Sequence, residues 1–179
     1  MTATIPAAVL AAYGLDGAAV TRLTGGLINA TFAARPGSGP PVVVQRLHPI
    51  FAAEVNLDVE AVTAHLAARG VVTPRLLRTS GGAPWVEGDG AVWRALSWVD
   101  GVTVAAVPSP AWAAAAGRQV GRFHRAVVDL RYDYRFTRAG VHDTAAHLAR
   151  LRGVVDGGGA PAGDDEARDL GAAILAEAA

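Results

Sequence analysis

The chain has 179 residues, with 16 basic and 16 acidic side chains and no net formal charge. That length suits one ordinary domain or a small lobe joined to part of a larger one, and the balanced charge leaves no field of one sign for a nucleic-acid backbone or an anionic membrane. There is no cysteine, which excludes disulfides, thiolate metal sites and thiol redox chemistry, and no lysine, so phosphate contacts fall to arginine, backbone amides or neutral donors.

No stretch approaches the roughly 18 consecutive strongly apolar residues of a membrane helix, and Met1 to Gly14 lacks the basic residues that open a secretory signal. A cytoplasmic protein with neither membrane nor nucleic-acid partner is the expectation. The hydrophobic fraction of 51% includes much alanine, which adds helix propensity more than buried area.

In chain order, Pro6 to Tyr13 is expected as a short helix that Gly14 ends, followed by a strand at Val20 to Leu23. The glycine pair in Thr24-Gly25-Gly26-Leu27-Ile28-Asn29-Ala30-Thr31-Phe32 predicts a tight connection into a second strand. Pro36 to Pro41 is a turn, and Val42 to Leu47 is a β-branched third strand. Val55, Val59, Val62 and Leu66 then recur at helical spacing, so Val55 to Arg69 is a helix with Gly70 in the stop position.

Strands are expected at Arg75 to Thr79, Pro84 to Val86 and Ala91 to Val99, with turns at Ser80-Gly81-Gly82 and Glu87-Gly88-Asp89-Gly90. The two carboxylates of that last turn are expected in solvent. Ser109 caps a helix to Val128, with Pro110 in its first turn and Trp112, Ala116, Val120, Phe123 and Val127 on one side. His142 to Arg152 is a further helix, Gly153 to Asp165 a glycine-rich link, and Glu166 to Ala179 a helix without a stop signal, as though the chain were interrupted there.

Four segments carry a resemblance: Gly25 to Thr31, Val42-Val43-Val44-Gln45-Arg46-Leu47, Asn56 to Thr63, and Thr79 to Trp85, extended by Gly90 to Arg94, Ser97 to Asp100, Gly121 to His124 and His142-Asp143-Thr144. In order and spacing they resemble the front half of the aminoglycoside-phosphotransferase superfamily of kinase-like enzymes, and most closely its N-acetylhexosamine 1-kinase branch. The resemblance implies an α+β, protein-kinase-like fold: an antiparallel five-stranded lobe with one helix at residues 1–99, binding nucleotide, then a hinge and the first helices of a helical lobe at 100–179. It implies ATP and Mg2+ as cofactors, and a small-molecule acceptor whose hydroxyl, such as that of an N-acetylhexosamine, receives the phosphate.

By this resemblance Gly25, Gly26, Asn29 and Thr31 cradle the triphosphate, where glycines let backbone amides approach the oxygens; by spacing alone the same letters describe a hairpin turn. The fold places a cation on the third strand, held by a helix glutamate, against the α- and β-phosphates. Glu60 is the expected glutamate. Gln45 or Arg46 takes the cation's place, since the pleat turns only one toward the cleft; Arg46 is favoured for its charge, while the resembled sugar kinases often carry glutamine.

Ser97, Trp98, Val99 and Asp100 are the expected hinge against the adenine, although Trp98 also suits a core aromatic. His124 is read as a core histidine. His142 and Asp143 are candidate ligands of the acceptor's hydroxyls, with helix capping as the other account of Asp143.

Working kinases of this kind also need a His-x-Asp loop with a following asparagine and an Asp-x-Asp strand, for the base and the metals. Neither occurs in this sequence, so this stretch alone is expected to be inactive. An alternative from another class is a non-catalytic nucleotide-binding or regulatory module derived from a kinase.

Overall fold

The computed structural model describes residues 4–157 and 165–178. Alternating apolar runs between glycine turns build one antiparallel sheet from β1 (Ala19–Leu23), β2 (Ala30–Arg35), β3 (Val42–Arg46), β4 (Leu76–Leu77), β5 (Val86–Gly88) and β6 (Ala91–Ser97), in the order β1-β2-β3-β6-β4 with β5 also paired to β6. β4 and β5 are separate short partners of the long β6, so the six strands expected along the chain all pair, one beyond the five that the resemblance implies.

Helix α1 (Ala7–Ala12) precedes the sheet, and Gly14 ends it with φ of 64°. Val9, Leu15, Phe32, Ala34, Val44 and Trp93 form the core between α1 and one face of the sheet. The Phe32 and Trp93 rings lie 6.1 Å apart at 35°, and the Trp93 indole donates to the Gly88 carbonyl at 3.0 Å.

Helix α2 (Val55–Ala68) follows β3, and the amides of Arg69, Gly70 and Val71 close its end on the Leu66 and Ala67 carbonyls, with Gly70 left-handed at φ of 69°. Its buried residues are Asn56, Asp58, Thr63 and Leu66. Of the apolar stripe expected from periodicity, only Leu66 is fully buried. The helix instead buries polar side chains that have work to do there: Asp58 accepts the Arg135 and Phe136 amides at 2.8 and 3.0 Å, and Thr63 donates to the Val59 carbonyl at 2.7 Å.

Helix α3 (Pro110–Val127) starts at Ser109, whose hydroxyl accepts the Trp112 amide at 3.4 Å. It packs on α2, and His65 of α2 and Arg69 just past its end both reach Asp129, at 3.3 and 2.7 Å. Only Ala126 of α3 is buried; Trp112, Val120 and Phe123 on the expected apolar side stay exposed. His124 is exposed against the Phe123 ring, which corrects the core reading.

The chain divides into two compact units, Met1–Phe136 and Thr137–Ala179. In the first unit α3 rests on α2, and the Asp58 bonds hold residues 135–136 to it. The second unit contains α4 (Thr144–Asp156) and α5 (Asp165–Glu177), and Gly171 allows their close approach, since a Cβ there would meet Val155 at 2.9 Å. Gly153 belongs to α4, so the expected link starts later, and its residues 158–164 lie outside those described, as do residues 1–3 and 179.

Candidate functional site

Sheet register decides which side chains meet. Gln45 stands opposite Thr31 on β2 and Arg94 on β6, whereas Val44 stands opposite Phe32 and Ala95, and Arg46 opposite Ala30 and Trp93. Directly opposed residues share a face and neighbours along a strand alternate. Thr31, Gln45 and Arg94 therefore form one row across the sheet, and Arg46 sits on the other face with the core residues.

The row is joined by hydrogen bonds. The Gln45 amide donates to Thr31 Oγ1 at 3.1 Å and, through Oε1, accepts Arg94 Nε at 2.9 Å; Arg94 also reaches Asn56 Oδ1 at 3.4 Å. Asn56 is fully buried at the start of α2, and its amide donates to the Ala53 carbonyl at 2.8 Å. Burial pulls the Arg94 guanidinium below the usual arginine range. No carboxylate pairs with it among the described residues.

The glycine loop adjoins this row. Gly25 has φ of 107°, a conformation that side chains rarely adopt, and Asn29 Oδ1 accepts the His48 amide at 2.9 Å, fastening the loop to the end of β3. Thr31 Oγ1 also makes a long contact, 3.5 Å, to the Asn29 carbonyl. Leu27 at the tip is fully exposed at 101%, and Ile28 is half exposed. The structure thus brings Gly25, Gly26, Asn29, Thr31 and Gln45 together.

Two expected members go elsewhere. Arg46 is exposed and lines a cavity of about 520 Å3 with His48, Glu87 and Asp89, so the pleat has turned the favoured cation away from Gln45's face. Glu87, on β5, and Asp89, in the turn after it, are exposed as expected and border that cavity; their carboxylates would repel a polyphosphate, and neither Gln45 nor Arg94 lines it. Glu60 pairs with neither Gln45 nor Arg46. Arg78, beyond β4, takes both of its oxygens, with Nε at 2.7 Å and a terminal nitrogen at 2.6 Å.

At the end of β6, Ser97 exchanges bonds with Arg75, donating its amide to the Arg75 carbonyl and accepting the Arg75 amide on Oγ, both at 2.8 Å. Trp98 is half-buried, with its indole N–H on Asp100 Oδ1 at 2.9 Å and the Arg35 guanidinium 5.6 Å over its ring; Val99 is exposed. In the second unit, His142 is left-handed at φ of 58° and Asp143 caps α4 by accepting the Ala146 amide at 2.9 Å.

Arg94 is the member of the row that sequence reasoning did not single out. Its signal was present in the alternation of Trp93 and Arg94 along a strand, but the partner strand and register were needed to align it with Gln45.

The sequence model of the phosphotransferase enzyme family matches residues 19–177, nearly the whole chain. This chain belongs to that family. Among solved structures it is similar to an aminoglycoside phosphotransferase from Alicyclobacillus acidocaldarius subsp. acidocaldarius DSM 446, with a TM-score of 0.63 and 21% identity over 99% of this chain and 51% of the other. It is also similar to the amicoumacin kinase hAmiN, solved in complex with AMP-PNP, Ca2+ and Ami, with a TM-score of 0.57 and 14% identity over 76% of this chain and 46% of the other. At these identities the likeness concerns the fold, which is the kinase-like α+β fold. The chain spans about half the length of these structures.

For a phosphotransferase of this fold the described residues fit a nucleotide phosphate, with a glycine loop, neutral donors and, on one face, a half-buried cation that no described carboxylate pairs. Among the described residues, no group of three or more His, Asp or Glu side chains is placed to hold a metal ion. No helix among them is long and apolar enough to cross a membrane.

Proposed function

We propose that this chain is the nucleotide-binding part of an ATP-dependent small-molecule kinase that transfers the γ-phosphate to a hydroxyl, with an N-acetylhexosamine as the leading acceptor. The observation that carries the reading is the hydrogen-bonded row Thr31–Gln45–Arg94–Asn56 beside the Gly25–Thr31 loop, in a chain of the phosphotransferase enzyme family. Phosphoryl transfer rests on positioning and on charge stabilisation more than on covalent chemistry of the protein. This chain's residues supply the positioning of the nucleotide: loop amides on the phosphates, and Ser97 to Asp100 along the adenine edge.

In that reaction the acceptor hydroxyl gives up its proton and its oxygen forms a bond to the γ-phosphorus, the bond from that phosphorus to the β-phosphate oxygen breaks, and ADP and the proton leave. Mg2+ bound with ATP would offset the charge of the phosphates, and no residue of this chain is assigned to it. Glu60 orders α2 through Arg78, and His142 and Asp143 are the acceptor-side candidates; the capping bond of Asp143 uses one carboxylate oxygen and leaves the other for a sugar hydroxyl. The sugar assignment is supported by the resemblance of the Gln45 and Asn56–Thr63 segments.

The test is isothermal titration of the 179-residue chain with AMP-PNP and Mg2+, accompanied by thermal melting. Binding is expected to raise the melting temperature with ligand concentration, by about 2.7 kcal/mol of stability at a hundredfold excess over Kd. No heat and no melting shift at millimolar AMP-PNP would refute nucleotide binding. A further shift with N-acetylglucosamine, absent with choline or homoserine, would support the sugar.

A further inference from the structure

A kinase-like nucleotide site needs a positive group against the phosphates, and the third-strand position facing α2 carries the neutral Gln45. Arg46, the adjacent charge, faces the other way, and the chain has no lysine. The charge nevertheless stands on that face, one strand over: Arg94 lies directly across from Gln45 and is bonded to it at 2.9 Å.

Resting on the proposed nucleotide-binding function, we propose that Arg94 is the phosphate-binding cation of this chain, delivered from β6, and that Gln45 and Asn56 are positioning residues that aim its guanidinium. The protein acceptors around Arg94 are two neutral amide oxygens, so its charge has no intramolecular counter-ion among the described residues. A half-buried arginine without an anion is costly, and a ligand anion offsets that cost on binding. The guanidinium also has donors to give. Nε and one terminal nitrogen are engaged, while the other terminal nitrogen has no acceptor among the described residues.

The ligand's position follows from the row. Gln45 bridges Arg94 to Thr31 beside the glycine loop, which sets the guanidinium on the same sheet face as that loop, two strands from it. Arginine suits this task, since its planar fork can donate to two phosphate oxygens at once. Glu60 then has no direct part in holding the cation, in agreement with its capture by Arg78.

The test compares AMP-PNP with adenosine on the 179-residue chain, the first by calorimetry and the second by ligand-observed NMR. Arg94→Gln should weaken AMP-PNP by about tenfold to a hundredfold, the range for one or two charge-assisted hydrogen bonds, and leave adenosine within about twofold. Arg94→Lys should restore part of the loss. Gln45→Glu places a carboxylate where the amide oxygen now accepts Arg94, so the cation becomes internally paired; it should keep the fold and weaken AMP-PNP in the same selective way.

Unchanged AMP-PNP affinity in Arg94→Gln and Gln45→Glu, with wild type binding normally, overturns this assignment and leaves the nucleotide-binding reading standing. Equal loss of AMP-PNP and adenosine overturns it too, since that marks a purely structural arginine. If wild type binds neither, both readings fall. Should Arg94→Gln not fold, Gln45→Glu decides.

Discussion

Gly88→Ala is expected to destabilise the fold by pushing α1 off the sheet. A Cβ built on Gly88 would lie 2.8 Å from Val9 Cγ2, 3.7 Å from Pro6 Cγ and 3.8 Å from Trp93 Cδ1. The last two are ordinary contacts. The first requires Val9, which is fully buried, to retreat by about 0.6 Å to reach the edge of ordinary contact. Overpacking of this kind costs about 1–3 kcal/mol. Val9→Ala alone removes two buried methyl groups, worth about 1.6 kcal/mol in transfer terms with a cavity cost on top.

In the double variant the new methyl group moves into the space that Val9 vacates. The combined loss should fall short of the sum of the single losses by about 1–2 kcal/mol. Urea denaturation followed by tryptophan fluorescence reads this directly, since Trp93 is buried against both positions. Losses that add to within about 0.5 kcal/mol would show that the two residues do not meet, and would refute the packing of α1 on the β5–β6 hairpin.

Two further outcomes follow from buried polar groups. The Tyr13 hydroxyl donates to the Trp93 carbonyl at 3.3 Å, and burial pushes its pKa up to about 12 from the ordinary 10.0. Unfolded chain releases this proton first, so stability is unaffected below about pH 10 and falls as pH rises toward about 12; Tyr13→Phe should flatten that fall in urea midpoints taken from pH 9 to 11.5, and parallel curves would sink the account. Asp58→Ala leaves the Arg135 and Phe136 amides without their acceptor and should cost about 2–4 kcal/mol, with faster hydrogen exchange at those two amides. Unchanged protection there would mean that Asp58 does not hold the segment.

Much of the fold was legible because local chemistry sets it. Gly14 and Gly70 end their helices in the left-handed conformation, Ser109 caps α3, and the valines of Val42 to Val44 make a strand. The α2 stripe misled for a physical reason: valine spacing reports which residues prefer burial, while Asn56, Asp58 and Thr63 are buried because they have hydrogen-bond partners, two of them more than 30 residues away. The apolar side of α3 shows the converse, since Trp112, Val120 and Phe123 recur at helical spacing and yet stay exposed.

The candidate site divides along the same line. The sequence by itself limited phosphate contacts to arginine, amides or neutral donors, and it marked the Gly25–Thr31 loop, the pair Gln45 and Arg46 with Arg46 favoured, and the family. Tertiary structure alone decided that Gln45 and not Arg46 faces α2, that Glu60 is held by Arg78, and that Arg94 completes the row. A strand's side chains alternate with period two, so their facing is settled only when the strand pairs, and Arg94 meets Gln45 only because β6 lies antiparallel beside β3 in that register.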